Sequence, residues 1–309
     1  MKAIVCTKYG PPDVLQLREV AKPTAKTHEV LIKISATAVT ASDCIGRTLN
    51  PSPWKPMGLL VGLLVGFKKP RRPIPGLVLA GTIEDAGKKV TRFKVGDEVF
   101  AFTVKSLIQL RVGTYAEYMC LPEDSLMALK PSNLTYEEAA ALPYGGLLAL
   151  YFLKKGPIQS GQNVLIYGAS GAIGTSAVQL AKHFGATVTG VCSTANVALV
   201  QSLGADTVLD YTKEDFTKSG QRYDFILNAV GKRKAQLQCE NSLTPNGKHV
   251  TVDDEYTKPH LEDFILLKEL AETGRLKPVI DRSYPLEQMV EAHTYVDQGH
   301  KKGNVVITV

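Results

Sequence analysis

The apolar run Val164-Leu165-Ile166-Tyr167 leads directly into Gly168-Ala169-Ser170-Gly171-Ala172-Ile173-Gly174, in which three glycines are spaced by three. An amphipathic pattern follows, with Ala177, Val178, Leu180, Ala181 and Phe184 on one helical face. Ala186-Thr187-Val188-Thr189-Gly190-Val191 then supplies a second strand. Glycines at such a junction let the chain turn sharply and bring its backbone close to a ligand. The free N–H groups at the start of the helix face an anion. The order strand, glycine turn, helix, strand therefore predicts a dinucleotide site, with Gly168, Ser170, Gly171, Ala172, Ile173 and Gly174 around the pyrophosphate. An ordinary tight strand–helix turn is the alternative.

The 309 residues suffice for two domains of ~150 residues each, and 44% hydrophobic content provides a sizeable core. The net charge of +6 is spread along the chain except at Lys68-Lys69-Pro70-Arg71-Arg72 and Lys232-Arg233-Lys234. Neither cluster is interleaved with aromatics, so solvated loops are expected and nucleic acid is not. Cys6, Cys44, Cys120, Cys192 and Cys239 are odd in number and far apart, without a metal-ligand spacing, which points to a reducing, cytoplasmic setting. Met1-Lys2-Ala3-Ile4-Val5 reads directly as a strand, so no signal or transit peptide is expected. The longest apolar run, 57–67, is shorter than the ~20 residues a membrane helix needs.

Up to about residue 125 the chain reads as short strands with turn punctuation, the pattern of a small irregular barrel. Thr135 can cap a helix whose first turn carries Glu137 and Glu138. Beyond it strands and helices alternate, with strands expected at 163–167, 187–191, 207–209, 224–228 and 248–252, the pattern of a parallel sheet covered on both faces. A helix at 286–298 and a last strand at 304–309 are expected to return to the first domain.

With these elements in place, the chain resembles the zinc-free quinone oxidoreductase branch of the medium-chain dehydrogenase/reductase superfamily over almost its whole length. The matching stretches include Tyr9-Gly10-Pro11, Gly96-Asp97-Glu98-Val99-Phe100, Gly113-Thr114-Tyr115-Ala116-Glu117-Tyr118 and Ala139-Ala140-Ala141-Leu142-Pro143. The glycine turn, Leu203-Gly204-Ala205-Asp206, Asp210-Tyr211, Asn228-Ala229-Val230-Gly231 and Gly303-Asn304-Val305-Val306-Ile307 complete the set. The resemblance implies an α/β protein with a GroES-like β-barrel domain (1–125 with 275–309) and a Rossmann doubly wound parallel-sheet domain (126–274), the active site lying in the cleft between them.

Zinc-dependent relatives hold their metal with a residue three before an aspartate and with a histidine after a Pro-Gly pair. Here those positions are Thr40, before Asp43, and Leu77, after Pro75-Gly76, with Val78 at the neighbouring acid. Zinc takes thiolate, imidazole or carboxylate donors, so no metal is expected. Without a Lewis acid, an acceptor that is already electron-poor is the expected substrate.

NAD-selective sites carry an acid ~20 residues beyond the glycines, on the ribose 2′-hydroxyl. The second strand here ends in Cys192-Ser193-Thr194-Ala195-Asn196, with no acid until Asp206 and no Lys or Arg between Lys182 and Lys213. The missing acid favours NADPH, with Ser193, Thr194, Asn196 and Tyr211 near the 2′-phosphate. The missing cation counts against it. By resemblance the nicotinamide lies near Thr40, Ser42 and Asp43, with Asn228, Ala229 and Val230 behind it and Gly303 and Asn304 at its edge. Thr40 stands where relatives commonly have Asn, and Leu148 where they have Thr. Tyr144 is the candidate hydrogen-bond and proton donor to the acceptor's carbonyl oxygen, with Tyr115 and Ser42 behind it, since a phenol is protonated at neutral pH. Solvent is the alternative proton source.

The expected activity is NADPH-dependent, zinc-independent reduction of quinones or α,β-unsaturated carbonyls by hydride transfer. The alternatives are an NADPH-binding redox sensor or membrane-peripheral protein with little turnover, and a zinc-free alcohol or aldehyde dehydrogenase-like activity. The segment 51–67 reads as a mobile apolar lid over a flat acceptor, its prolines and glycines arguing against a long helix. It reads alternatively as a peripheral membrane contact through 57–72, or as core packing. The short polar link 253–259 replaces a longer segment of relatives that carries a sixth sheet strand used in dimers, which leaves monomer and dimer both open.

Overall fold

A computed structural model describes residues 1–49, 51, 56–104, 111–232, 239–254 and 258–309, with the side chains of 56–58 and 60 excepted. Trp54 and its neighbours, most of the second basic cluster and 255–257 of the polar link lie outside the described residues. The chain forms two compact units, Met1–Ala141 with Ile280–Val309, and Leu142–Val279.

The first unit opens with β1 (Lys2–Cys6) and β2 (Leu15–Glu19), an antiparallel pair. β3 (Glu29–Val39) is followed by α1 (Ala41–Thr48) and α2 (Pro56–Val65). α2 is a short helix within the segment whose glycines and prolines argue against a long one. It begins at Pro56, where a missing N–H costs the helix nothing, and its ten residues absorb two glycines. β4 (Val78–Ala86), β5 (Glu98–Phe102), β6 (Tyr118–Pro122) and β7 (Leu126–Leu129) follow, and then α3 (Tyr136–Leu153), whose residues from Leu142 on belong to the second unit.

The second unit carries β8 (Asn163–Tyr167), α4 (Ala172–His183), β9 (Thr187–Cys192), α5 (Val197–Ser202), β10 (Thr207–Asp210), β11 (Tyr223–Asn228), β12 (Leu243–Thr251) and α6 (Leu261–Glu272). Its strands are all parallel, in the order β10-β9-β8-β11-β12. The order reverses between β8 and β11, which makes a switch point at the carboxyl ends of those two strands. Near-continuous apolar runs such as Val164-Leu165-Ile166 are fully buried, as a sheet covered on both faces requires.

β13 (Ile280–Pro285), α7 (Met289–Asp297) and β14 (Asn304–Thr308) belong to the first unit. Its sheet runs β13-β14-β3-β4-β5-β7, with β6 also on β3. The eleven residues of β3 organise it: β6 pairs along the first half, β14 along the second, and β4 along the other edge. Ile32, Ile34, Leu79, Ile83, Val99, Leu121 and Met127 form one core, and Ile4, Tyr115, Leu286, Met289, Val305 and Ile307 lie in another. Each fully buried aliphatic side chain contributes about 1.5–3 kcal/mol. The compact units divide at 141/142, inside α3, and β7, hydrogen-bonded along β5, places 126–129 in the first unit. The return falls at 279/280, where β13 begins.

Candidate active site

In the second unit the glycine turn sits at the carboxyl end of β8. Gly168 has φ +80°, a conformation that favours glycine, and its N–H and that of Ala169 both donate to the Val191 carbonyl at 3.0 Å. Gly171 caps α4 without a side-chain acceptor, so the first-turn N–H groups of that helix are left for a ligand. A Cβ on Gly174 would stand 2.1 Å from the Gly168 carbonyl oxygen, so only glycine lets α4 start this close to the strand. This backbone cradle fits a dinucleotide pyrophosphate.

Two further loops end beside it. Gly168 approaches Val230 so closely that an added Cβ would lie 2.5 Å from its Cγ2. The fully buried Asn228 accepts from the N–H groups of Val230 (3.0 Å) and Gly231 (3.2 Å) and so folds the loop after β11. On the other side, the Asn196 side-chain amide donates to Ser170 Oγ (3.1 Å) and Ser193 Oγ (3.2 Å), tying the loop after β9 to the glycine turn. Asn196 Oδ1 is buried without a partner. An unpaired buried acceptor of this kind is costly, and a ribose hydroxyl is the sort of donor that satisfies it.

The parallel pairing of β10 with β9 sets Asp210 opposite Cys192. Thr194 Oγ1 donates to Asp210 Oδ2, and Thr212 donates to Oδ1 from its hydroxyl (2.7 Å) and N–H (3.0 Å). The Thr194 and Thr212 hydroxyls hold the Asp210 carboxyl down to about 2. Lys213 Nζ lies 3.5 Å from Asp210 Oδ2, its side chain 68% exposed. An acid and a cation therefore stand beside Thr194, although neither occurs next to it in sequence. Asp206, the nearest acid in sequence, pairs with Lys182 (2.8 Å) and accepts from the Val188 N–H (2.7 Å) near the start of β9. Tyr211 is exposed, its ring 6.4 Å from that of Tyr167.

Tyr144 lies in α3 and is buried. The next residue, Gly145, approaches the first residue of α4 so closely that a Cβ would stand 2.3 Å from the Ala172 carbonyl oxygen. Sequence reading assigned Gly145 no role. The signal was present, a glycine inside an otherwise apolar helix, which often marks close packing.

The remaining expected residues are in the first unit. Thr40 caps α1: Asp43 N–H donates to its hydroxyl oxygen at 3.2 Å, while Asp43 Oδ2 accepts from the Thr40 N–H (2.9 Å) and hydroxyl (2.6 Å). This is a capping box, made with Asp in the usual Glu position. Burial raises the Asp43 carboxyl to about 6, against the lowering effect of the Thr40 bonds. β14 pairs antiparallel with β3, Val305 opposite Val39, so Asn304 and Thr40 continue the two strands at the same end. Gly303, with φ +61°, leads into Asn304, which is buried. Ser42 is half-buried in α1. Tyr115 is the residue expected behind Tyr144. It is fully buried among Ile4, Leu286 and Met289, and burial, with the nearby Asp43 charge, pushes its phenol well above the usual 10. Leu77 is buried and apolar, its carbonyl accepting from Thr103 N–H at 2.8 Å.

Beneath α1 lies a polar cluster that sequence reading missed. The buried Arg47 donates to the Gly10 carbonyl at 2.8 Å and pairs with Asp297. Cys44 Sγ lies 3.7 Å from Nδ1 of the fully buried His293. Burial, reinforced by Arg47, lowers His293 to about 3. No spacing announces this cluster, because α1 and α7 are far apart in sequence.

Family models match in order: alcohol dehydrogenase GroES-like domain over 26–131 and zinc-binding dehydrogenase over 172–275 and 254–307. The chain is 35% identical over 322 residues to a 2-methylene-furan-3-one reductase of Solanum lycopersicum, covering 99% of this chain and 79% of the relative. The chain belongs to the medium-chain dehydrogenase/reductase superfamily, in its quinone oxidoreductase branch. Another member, an NADPH-dependent alkenal/one oxidoreductase of Arabidopsis thaliana, is 32% identical over the same shares. A quinone oxidoreductase structure from Coxiella burnetii superposes with a TM-score of 0.86 at 28% identity, covering 100% of this chain and 99% of that one. The GroES-like and Rossmann folds and a nicotinamide cofactor are thus those of the family. Among the described residues no group of three or more His, Cys, Asp or Glu side chains could hold a metal ion, and no helix is long and apolar enough to cross a membrane.

Proposed function

We propose that the chain reduces quinones or α,β-unsaturated carbonyls with NADPH and without zinc. The glycine cradle, joined through Asn196 to the loop after β9, carries the cofactor side of this reading. The names of the tomato reductase and the Arabidopsis oxidoreductase support the acceptor class. When bound, the nicotinamide supplies a hydride, two electrons that leave negative charge on the acceptor's oxygen.

In this reading the first-turn N–H groups of α4 hold the pyrophosphate, and Asn228 keeps the loop through Ala229 and Val230 against the cradle. Ser193, Asn196 and Tyr211 border the 2′-phosphate, with Lys213 as its cation. Thr194 is committed to Asp210, so its hydroxyl proton is not offered to the phosphate. The family resemblance assigns Thr40, Asp43, Gly303 and Asn304 to the nicotinamide, and within the first unit the Thr40–Asp43 cap fixes the start of α1. Tyr144 or Ser42 donates to the acceptor's oxygen, and Tyr144 or solvent completes the proton balance. Zinc independence rests on donor chemistry: the Thr40 hydroxyl is engaged in the cap of α1, and Leu77 has no donor atom.

NADPH oxidation followed by absorbance, with a quinone and with a small enone, tests the reading. NADPH binding without oxidation by either acceptor would overturn it in favour of a nucleotide-binding sensor. Stoichiometric zinc in the purified protein would overturn the metal-free part. A second partner belongs to the proposal, a membrane surface reached through residues 57–72 without crossing it, favoured by the exposed leucines of α2.

A further inference from the structure

α2 carries no charged residue, and three of its leucines are open to solvent: Leu59 is 44% exposed, Leu63 50% and Leu64 71%. Directly after the helix come Lys68, Lys69, Arg71 and Arg72, all exposed. No Asp or Glu occurs between Asp43 and Glu84. Local geometry keeps the two kinds of side chain together. Gly66 turns the chain with φ +103°, and the Arg71 N–H donates back to the Val65 carbonyl at 2.8 Å. Phe67 folds its ring over Gly62, where an added Cβ would stand 2.1 Å from the ring. The Tyr9 hydroxyl binds the Val65 and Gly66 carbonyls at 3.0 and 3.2 Å and pins the end of α2 to the first unit.

Exposed leucines favour an apolar phase, and the exposed cations Lys68, Lys69 and Arg71 beside them favour anions. An anionic phospholipid surface supplies both within one thin layer. We propose that this edge docks on anionic lipid, Leu59, Leu63 and Leu64 entering the boundary between headgroups and acyl chains while Lys68, Lys69 and Arg71 meet lipid phosphates. The proposal rests on the membrane-contact reading above and adds to it the lipid class and the residues. A ten-residue helix is ~15 Å long, about half the hydrocarbon thickness of a bilayer, so α2 lies in the interface. Docking there would hold the protein where apolar conjugated acceptors concentrate.

Co-sedimentation of the full chain with phosphatidylcholine vesicles, with and without phosphatidylglycerol, tests this. Binding is expected only with phosphatidylglycerol, and is expected to vanish at ~1 M salt, where charges are screened within about 3 Å. Trp54, the single tryptophan, precedes α2 in sequence, and its emission should shift to the blue on binding. The pairs Lys68→Glu with Lys69→Glu, and Leu63→Asp with Leu64→Asp, should each lower the bound fraction about tenfold or more. Equal binding to neutral vesicles would overturn the anionic assignment alone, whereas no binding to either would overturn membrane contact altogether. A dimer in light scattering that the leucine pair dissociates would show that a second copy covers this edge, and would overturn the proposal. The salt series on the unmodified chain keeps the test decisive if a variant fails to fold.

Discussion

The side-chain amide of Asn196 donates to the Ser170 hydroxyl at 3.1 Å, joining the loop after β9 to the glycine turn after β8. Its Oδ1 is buried and unpaired, so the residue is held in place while one acceptor still needs a donor. Asn196→Ala should weaken nucleotide binding about five- to tenfold, the equivalent of about 1–1.5 kcal/mol for one hydrogen bond. Titration of NADPH against the protein's fluorescence checks it, and unchanged affinity would remove Asn196 from the site.

Lys213 stands near Thr194 only because β10 lies parallel to β9. Lys213→Met should raise the Kd for NADPH about tenfold and leave that for NADH nearly unchanged, since a charge-assisted contact to phosphate is lost. Calorimetry with 2′,5′-ADP and with 5′-ADP measures the same difference without turnover. Equal losses for both nucleotides would argue against Lys213 as the 2′-phosphate cation. A wild-type protein without NADPH preference would argue against NADPH itself.

Gly145 packs against the first residue of α4, with a backbone oxygen where a Cβ would go. Backbone cannot swing aside as a side chain does, so Gly145→Ala should cost about 1–3 kcal/mol of stability and weaken NADPH binding. Urea midpoints and nucleotide titration read the two effects. Unchanged stability would mean that α3 shifts freely.

Tyr115 and Tyr144 give opposite expectations. The Tyr115 hydroxyl is buried and makes no hydrogen bond of normal geometry, so Tyr115→Phe should leave kcat within about twofold and stability within about 1 kcal/mol. Tyr144→Phe should lower kcat for an enone about tenfold or more if Tyr144 donates to the developing oxyanion. If kcat is equal in both variants, solvent is the proton source.

Burial holds His293 at about 3 in the folded protein, against about 6.5 when unfolded. The unfolded chain binds the extra proton first, so the contribution of neutral His293 is complete above about pH 6.5 and is lost as pH falls toward about 3. Asp43, raised to about 6, acts in the opposite sense, its contribution present below its ordinary value and lost as pH rises through about 6. His293→Leu should therefore flatten the acid loss of stability between about pH 7 and about pH 5, by up to ~2 kcal/mol. Urea unfolding at both pH values checks this. Parallel curves for wild type and variant would place the acid sensitivity elsewhere.

Legibility followed the range of the interactions. The strand into Gly168, the glycine spacing and the helix after it are local, so periodicity and turn chemistry disclose them. The loop Ser193 to Asn196 stands out in the sequence by its polar residues after the second strand, but the acid and cation beside it do not. Asp210 and Lys213 reach Thr194 through strand pairing, and no local pattern carries that register. The short α2 helix was not legible because intrinsic propensity penalises glycine and proline, while its start at Pro56 and its attachment through Tyr9 lie beyond that local signal. The full burial of Tyr115 was not legible because it depends on α7 and β14, which follow much later in the chain.

By itself the sequence determined the βαβ turn, the two-fold division of structure type, and the lack of zinc donors at Thr40 and Leu77, since each depends on residue identity at a place or on a short repeat. The tertiary structure alone decided that Asn196 bridges to Ser170, that Lys213 supplies charge beside Thr194, that Tyr115 lies in a core, and that Gly145 abuts the start of α4. These depend on which strands neighbour one another and how closely helices approach, and packing of the whole chain sets both.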